Sequence, residues 1–287
     1  MSFAEEKNKI IPGTLYLVAT PIGNLADLSE RAIKVLSEVD FIAAEDTRNT
    51  GHLLAYLGIK KPLVSYFEHN KRERGEVICD RLSAGETCAL VTDAGTPAIS
   101  DPGEDLVRLC AQRGLAVTSI PGCCAGITAL TLSGLPTGRF CFEGFLSVNK
   151  AERKKRLERL KVEDRTMIFH EAPHKLETTL KDLCEAFGGD RKISLCRELT
   201  KLNEEVLRLT LSEAVAYHTE HPPRGEYVLI GEGAPEDAVA VSAFWADMTV
   251  REHVEHYMAG GMEKKEAIKA AAKDRGVPKN DIYKEMI

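Results

Sequence analysis

From residue 14 to about 232, short apolar runs rich in β-branched residues alternate with longer segments whose apolar positions recur every three or four residues. The runs LYLVAT (15–20), FIAAED (41–46), PLVSYF (62–67), CALVTD (88–93) and AVTSIP (116–121) are too short for helices and predict buried strands. Between the first two, DLSERAIKVLSEV places Ala32, Val35, Leu36 and Val39 on one face, with Asp27 as the expected N-cap and Glu30 three residues later. Gly58 and Gly114 stand where later helices end, the usual C′ glycine. This alternation predicts βαβ units and a largely parallel sheet.

After Pro121-Gly122 a second series begins: FCFEGFL (140–146), TMIFHE (166–171), KISLCREL (192–199), EEVLRLTL (204–211) and EYVLIG (226–231). A short turn joins the runs near 192–211, so this sheet is expected to be mixed. APEDAV (234–239) reads as a linker, and the remainder to Ile287 is helical with no strand pattern. The expected fold is α/β, with a short N-terminal tail (1–13), an N-terminal α/β domain (14–121), a C-terminal α/β domain (122–235) and a helical tail (236–287).

Composition narrows the class. The 287 residues are 44% apolar and 29% charged, enough for one large or two modest globular domains. A formal charge of −6 argues against non-specific nucleic-acid binding over the whole surface, though not against a local basic patch. The start MSFAEEKNKI has neither a basic nor an apolar signal region, and no apolar run approaches the roughly 20 residues that span a bilayer. Cys79, Cys88, Cys110, Cys123, Cys124, Cys141, Cys184 and Cys196 form no C-x-x-C pair and follow no zinc spacing. Reduced thiols in a soluble, cytoplasmic protein are expected.

Candidate chemistry gathers at the strand ends. In open parallel sheets ligands bind outside the carboxyl ends of the strands. Those ends carry Thr20-Pro21-Ile22-Gly23-Asn24, Glu45-Asp46-Thr47-Arg48, Glu68-His69-Asn70 and Asp93-Ala94-Gly95-Thr96-Pro97. Asp and Gly also terminate strands for purely structural reasons, but four such loops at one edge predict a cleft. PIGNL and DAGTP could give a nucleotide-like ligand close backbone approach and partners for a ribose. Neither is a dinucleotide fingerprint nor a P-loop, which disfavours NAD and ATP.

Other segments have plainer readings beside functional ones. His170-Glu171-Ala172-Pro173-His174 spells H-E-x-x-H, but it starts on a strand end and Pro173 is incompatible with a helix interior, so no metal site is expected. NKAERKKRLERLK (149–161) carries seven Lys or Arg against two Glu, a local charge of +5. It reads as a solvated helix with Leu157 and Leu160 inward, or as a phosphate-contacting patch. The tail segment 263–286 reads as helix, glycine turn and helix, equally suited to RNA contact, packing or dimerisation. The pairs His218/His221 and His253/His256 read as surface histidines, and Trp245 as packing the tail onto the body.

Taken in order, TPIGNL (20–25), AAEDTRNTGHLL (43–54), EHN (68–70), DAGTP (93–97), SDPG (100–103), GFL (144–146), RELTK (197–201) and RGEYVL (224–229) resemble the tetrapyrrole-methylase superfamily. AEDTR with DAGTP resembles, more narrowly, its branch of bacterial cytidine 2′-O-methyltransferases acting on small-subunit ribosomal RNA. The resemblance spans residues 14 to 232 and extends to the helical tail. It implies S-adenosylmethionine as methyl donor, held between two α/β domains, a decoding-centre cytidine of 16S rRNA in the small ribosomal subunit as substrate, and a homodimer, with no metal and no membrane. Carried over by position, the cofactor contacts are Pro21, Asp93, Ala94, Gly95, Cys124, Ala125, Phe169 and Gly225. Candidates for assisting deprotonation of the ribose hydroxyl are Glu45, Asp46, Arg48, His69, Glu171, Arg197 and Lys201; Arg48 and Arg197 could instead hold a phosphate or pair with neighbouring acids. The sequence departs from the family pattern at Cys123 (proline expected), Gly126 (alanine), Ser147 (proline), His170 (an aromatic, often tyrosine) and Lys175 (arginine). Competing readings are a methylase of a tetrapyrrole or other small metabolite, and a non-catalytic ribosome-assembly factor that binds S-adenosylmethionine.

Overall fold

The computed structural model describes residues 9–235, 245 and 248–286. Each of the ten runs named above forms a strand. The first sheet comprises β1 (Thr14–Val18), β2 (Phe41–Ala44), β3 (Leu63–Ser65), β4 (Cys88–Val91) and β5 (Ala116–Ile120), in the order β3-β2-β4-β1-β5 with every pairing parallel. Its connections are α1 (Glu30–Glu38), α2 (Thr47–Tyr56), α3 (Lys71–Ser83) and α4 (Gly103–Gln112).

The first two crossovers run towards β3 and the next two run back towards β5. Right-handed connections therefore place α1 and α2 on one face and α3 and α4 on the other. Side-chain alternation fits this arrangement. Tyr16, Val18, Ile42 and Ala44 pack with Val35, Leu36 and Leu54, whereas Leu15, Phe41, Ala43 and Leu90 pack with Ile78, Leu82 and Leu106. Each fully buried Leu or Ile here contributes about 1.5–3 kcal/mol relative to exposure. Because β1 and β4 are neighbours whose connections leave on opposite faces, a crevice opens between their carboxyl ends.

The second sheet comprises β6 (Phe140–Phe145), β7 (Thr166–Glu171), β8 (Lys192–Arg197), β9 (Glu205–Thr210) and β10 (Tyr227–Gly231), in the order β6-β7-β10-β8-β9. Only β6 and β7 pair in parallel, so the sheet is mixed. One face carries Met167, Phe169, Leu195 and Leu229 against α6 (Lys150–Leu160), α7 (Pro173–Phe187) and α8 (Leu211–Glu220). The other carries Ile168, Cys196, Val228 and Ile230 against Ala129 and Leu130 of α5 (Ala125–Leu132). Through α5 the loop after β5 is delivered to the second sheet.

Two local expectations, on the α1 cap and the histidines, are corrected. The N-cap of α1 is Ser29, whose Oγ accepts from Ala32 N–H at 3.1 Å; Asp27 belongs to a preceding 3-10 turn (Leu25–Asp27) capped by Asn24. His218 and His253 are buried, not on the surface. Trp245 stacks on His253 inside the tail, 5.6 Å between ring centres. The tail helices α9 (Val250–Ala259), α10 (Lys264–Arg275) and α11 (Lys279–Glu285) share a core of Val254, Ala267, Ile268, Ala271 and Ile282, with Gly276 turning the chain at φ +66°. Most of the expected linker 234–239, and the start of the N-terminal tail, lie outside the described residues.

Candidate active site

At the parting of β1 and β4, Thr20 and Gly95 exchange two backbone hydrogen bonds of 2.9 and 3.0 Å. Thr20 Oγ1 donates to the Thr92 carbonyl at 3.2 Å, and Thr92 Oγ1 donates to Glu45 Oε2 at 2.7 Å, so the ends of three strands are tied together. Gly95 has φ +88°, and a Cβ there would lie 3.3 Å from Ile22 Cγ2 and 3.5 Å from the Cys123 carbonyl. The position needs glycine for its left-handed backbone. Further along, Ala98 and Ser100 adopt φ of 68° and 62°, conformations that cost non-glycine residues about 1–3 kcal/mol each. Asp101 holds them: its carboxylate accepts from Ala98, Ile99 and Gly103 N–H at 3.0, 3.2 and 2.7 Å. This is the physical role of the acid in SDPG.

The second sheet supplies the opposite wall. Cys124 is the N-cap of α5 but makes no side-chain capping bond, which leaves the first N–H groups of that helix available at the cleft. The turn after β8 is also strained, with Glu198 at φ 51° and Thr200 at φ 66°. Glu198 Oε1 accepts from Lys201 Nζ and Glu226 N–H, both at 2.9 Å, and Lys201 also pairs with Glu226 Oε2 at 2.7 Å. These contacts hold the Glu198 carboxyl below, and the Lys201 ammonium above, its ordinary pKa. Gly23 of the first loop lies directly against this turn: a Cβ there would stand 2.9 Å from Thr200 Oγ1 and 3.2 Å from the Leu199 carbonyl.

Three cavities adjoin at this seam. One, of about 270 Å³, is apolar, with Ile99, Phe140, Phe142 and Ile168 around the backbone of Gly95 and of Cys124 to Ile127. A second, of about 470 Å³, reaches Glu171, Leu199, Lys201 and Glu226. The two share Ile22, Ala94, Ala125 and His170. A third, of about 220 Å³, lies between Pro21, Asp93, Asn49 and Leu53, where Pro21 and Asp93 are the chain neighbours of Ile22 and Ala94. A separate cavity of about 1010 Å³ lies elsewhere in the second unit, between Pro136, Arg139, Asp164, Gly189 and Arg191. None of the strand-end loops lines it.

The structure brings many of the expected residues together. Pro21 and Asp93 line the third cavity; Ala94, Gly95, Cys124 and Ala125 line the first; Glu171 and Lys201 line the second. Gly225 packs under the Glu198 carboxylate at φ +79° rather than lining a cavity. Phe169 shares a strand face with Met167, and its side chain is 1% exposed and belongs to the core. Strand alternation turns its neighbour His170 to the cleft instead. Glu45 is bound by Thr92, as above. Asp46 caps α2 and pairs with Arg48 at 2.7 Å; the Arg48 guanidinium holds its carboxyl down at about 2, which makes it a weak base at neutral pH. Arg48 is 85% exposed and near enough to Asp93 to feel its charge. Glu171 is buried, with its oxygens engaged by Ala172 N–H (2.9 Å) and Thr179 Oγ1 (2.5 Å). His69 is exposed, and Arg197 pairs with Glu205 at 3.1 Å; neither lines the three cavities. H-E-x-x-H is divided between β7 and the first turn of α7, where Pro173 is the first helical residue.

Known proteins of the same pattern decide the family. Residues 14–215 match the family model of Tetrapyrrole (Corrin/Porphyrin) Methylases. The chain belongs to the tetrapyrrole methylase family. Among its relatives, a protein of Halalkalibacterium halodurans named ribosomal RNA small subunit methyltransferase I is 53% identical over 94% of this chain and 93% of its own length. One of the same name from Bacillus subtilis is 49% identical over the same shares. The uroporphyrin-III C-methyltransferase of Thermus thermophilus, solved with S-adenyl homocysteine, shares the fold with a TM-score of 0.52 and 20% identity, covering 79% of this chain and 99% of that one.

As a tetrapyrrole methylase the protein is a methyltransferase that uses S-adenosylmethionine as donor. The cleft fits that molecule. Gly95 and the uncapped start of α5 present backbone to a ligand, the apolar cavity suits a flat heterocycle, and the buried Nε2 of His170 has no partner in the protein. Ile22, Asn49, Gly126, Phe142 and His170 line this cleft without having been singled out as contacts from sequence.

Proposed function

We propose that this methylase transfers a methyl group from S-adenosylmethionine to the ribose 2′-oxygen of a decoding-centre cytidine in 16S rRNA of the small ribosomal subunit. The observation that carries the reading is the near full-length identity to relatives named for that subunit's RNA, together with a donor-sized cleft at the strand ends. When bound, the cofactor supplies an activated sulfonium methyl, so the protein's task is alignment. Holding two reactants in line can be worth several orders of magnitude. The loops 92–103 and 197–201 suit this task because hydrogen bonds fix their backbones in strained conformations. Asp93 and Ala94 would hold the donor, while Lys201 and Arg48, at the second cavity and beside the third, are the cations to meet the RNA backbone and favour the ribose oxygen as an anion.

The reading includes a homodimer. Along the edge strand β6 and just beyond it, Phe140, Phe142, Phe145 and Val148 keep 38–74% of their surface exposed, an apolar stripe of the kind that marks association sites. Among the described residues no helix is long and apolar enough to cross a membrane.

The test is transfer of labelled methyl from S-adenosylmethionine to small subunits from cells lacking this enzyme, with mass spectrometry of the nucleosides. Appearance of 2′-O-methylcytidine only with the protein supports the reading. Label on a base, or transfer to a tetrapyrrole with none to subunits, overturns it.

A further inference from the structure

His170 occupies the wall that the two adjoining cavities share. Its ring stands edge-on to Phe142 and Phe145, with centroids 5.3 and 5.5 Å away. Nε2 is sealed from solvent and bonded to nothing in the protein. Buried polar atoms are nearly always paired, so an unpaired one marks a place where a partner is to be supplied. Across from it is Gly126, whose missing Cβ would have stood 3.7 Å from Nε2 and 3.6 Å from Phe142. With no Cβ at Gly126, the imidazole has room on that side for its Nε2 to meet a partner in the cavity that both residues line.

The apolar cavity selects which part of a donor can meet this nitrogen. His170 is the one charged-type side chain along it, amid Ile22, Ile99, Phe140 and Ile168. A carboxylate, ammonium or sulfonium would be desolvated there without a counter-charge. An uncharged heterocycle with polar edges would not. We propose that Nε2 of His170 hydrogen-bonds to the adenine ring of bound S-adenosylmethionine, with Gly126 keeping the space for that contact. The proposal rests on the donor-binding reading of the cleft and assigns one of its contacts to a side chain.

Burial lowers the pKa of His170 from its ordinary value, so the ring is neutral at physiological pH and able to accept or donate. The sign follows: the binding-competent form is the neutral one, and affinity falls as pH falls through the imidazole pKa. The other titratable groups around it are Cys124 before α5, Cys196 on β8, Glu171 at the end of its own strand, His174 on α7, Tyr227 on β10, and Lys201 with Glu226 in the facing loops. His174 is the second imidazole and must be separated from the first.

The experiment is calorimetric titration of the full chain with S-adenosylhomocysteine between about pH 5 and pH 8, beside nuclear magnetic resonance of the His170 ring. Wild type is expected to weaken on acidification, approaching tenfold per pH unit below the ring's pKa. His170→Phe, which keeps an aromatic edge, binds about three- to tenfold more weakly at neutral pH and loses this dependence. Gly126→Ala also weakens binding, whereas His174→Gln keeps the slope, and ligand lowers the His170 pKa further. Equal affinity and slope in wild type and His170→Phe, or a slope that vanishes with His174→Gln, overturns the proposal while leaving the donor site standing. No binding by wild type at any pH overturns the donor site and the proposal together.

Discussion

Gly225 offers a quantitative test of how the second wall of the cleft is held. Its φ of +79° is left-handed, and an added Cβ would lie 2.6 Å from Cγ, Cδ and Oε1 of Glu198. That carboxylate cannot simply swing away, because Lys201 Nζ and Glu226 N–H both bind it at 2.9 Å. Gly225→Ala therefore carries two penalties: about 1–2 kcal/mol for alanine in a left-handed conformation, and about 1–3 kcal/mol for overpacking. Gly114 isolates the first, since it has φ +67° and nothing within 4 Å of its Cβ position. At about 2–4 °C per kcal/mol, Gly225→Ala should melt roughly 2–12 °C below Gly114→Ala. In a Glu198→Ala background the extra loss should disappear, leaving only the conformational cost. Thermal denaturation followed by circular dichroism reads all four proteins. Equal melting temperatures for Gly225→Ala and Gly114→Ala, or an extra loss that persists without Glu198, would refute the reasoning.

Further predictions follow from single contacts. Asp101→Ala removes the acceptor of three backbone N–H groups, so it should cost about 2–4 kcal/mol and weaken S-adenosylhomocysteine binding, measured by denaturation and calorimetry. Thr179→Val leaves a buried oxygen of Glu171 without its donor; a loss of about 1–3 kcal/mol with unchanged cofactor affinity marks Glu171 as a structural acid, and intact stability contradicts that. Arg165 holds the Glu163 carboxyl at about 2, below its ordinary value of 4.5. A depressed carboxyl stabilises the fold above its unfolded pKa and loses that effect as pH falls through the folded one. The melting-temperature gap between wild type and Glu163→Gln should therefore narrow as pH drops below 4.5 towards 2, and a gap independent of pH would contradict it.

The strands were legible because each run is both apolar and short, and a strand covered on both faces leaves no other reading. The mixed character of the second sheet followed from the short turn between β8 and β9. The edge where the cleft opens was legible too, since acids and glycines collect where parallel strands end. Side-chain direction was less so. The two-residue period of a strand sets Phe169 and His170 on opposite faces, with Glu171 on the Phe169 face, but which face looks into the cleft depends on how α5 packs against the sheet. Asp27 looked like a helix cap because its spacing to Glu30 fits, but Asn24 takes up the preceding turn and passes the role to Ser29. The buried state of His253 was hidden for a different reason: its place between Asp274 and Arg275 depends on how three tail helices meet.

The proposed donor site joins loops from both sheets at the carboxyl edge of the first. Hydrogen exchange by mass spectrometry, with and without S-adenosylhomocysteine, tests it most directly. The predicted result is slowed exchange at residues 19–24, 92–103 and 122–127 together with 168–171 and 197–201 of the second unit. Protection confined to one sheet, or found instead around 136–139 and 187–191 at the separate cavity, would contradict it.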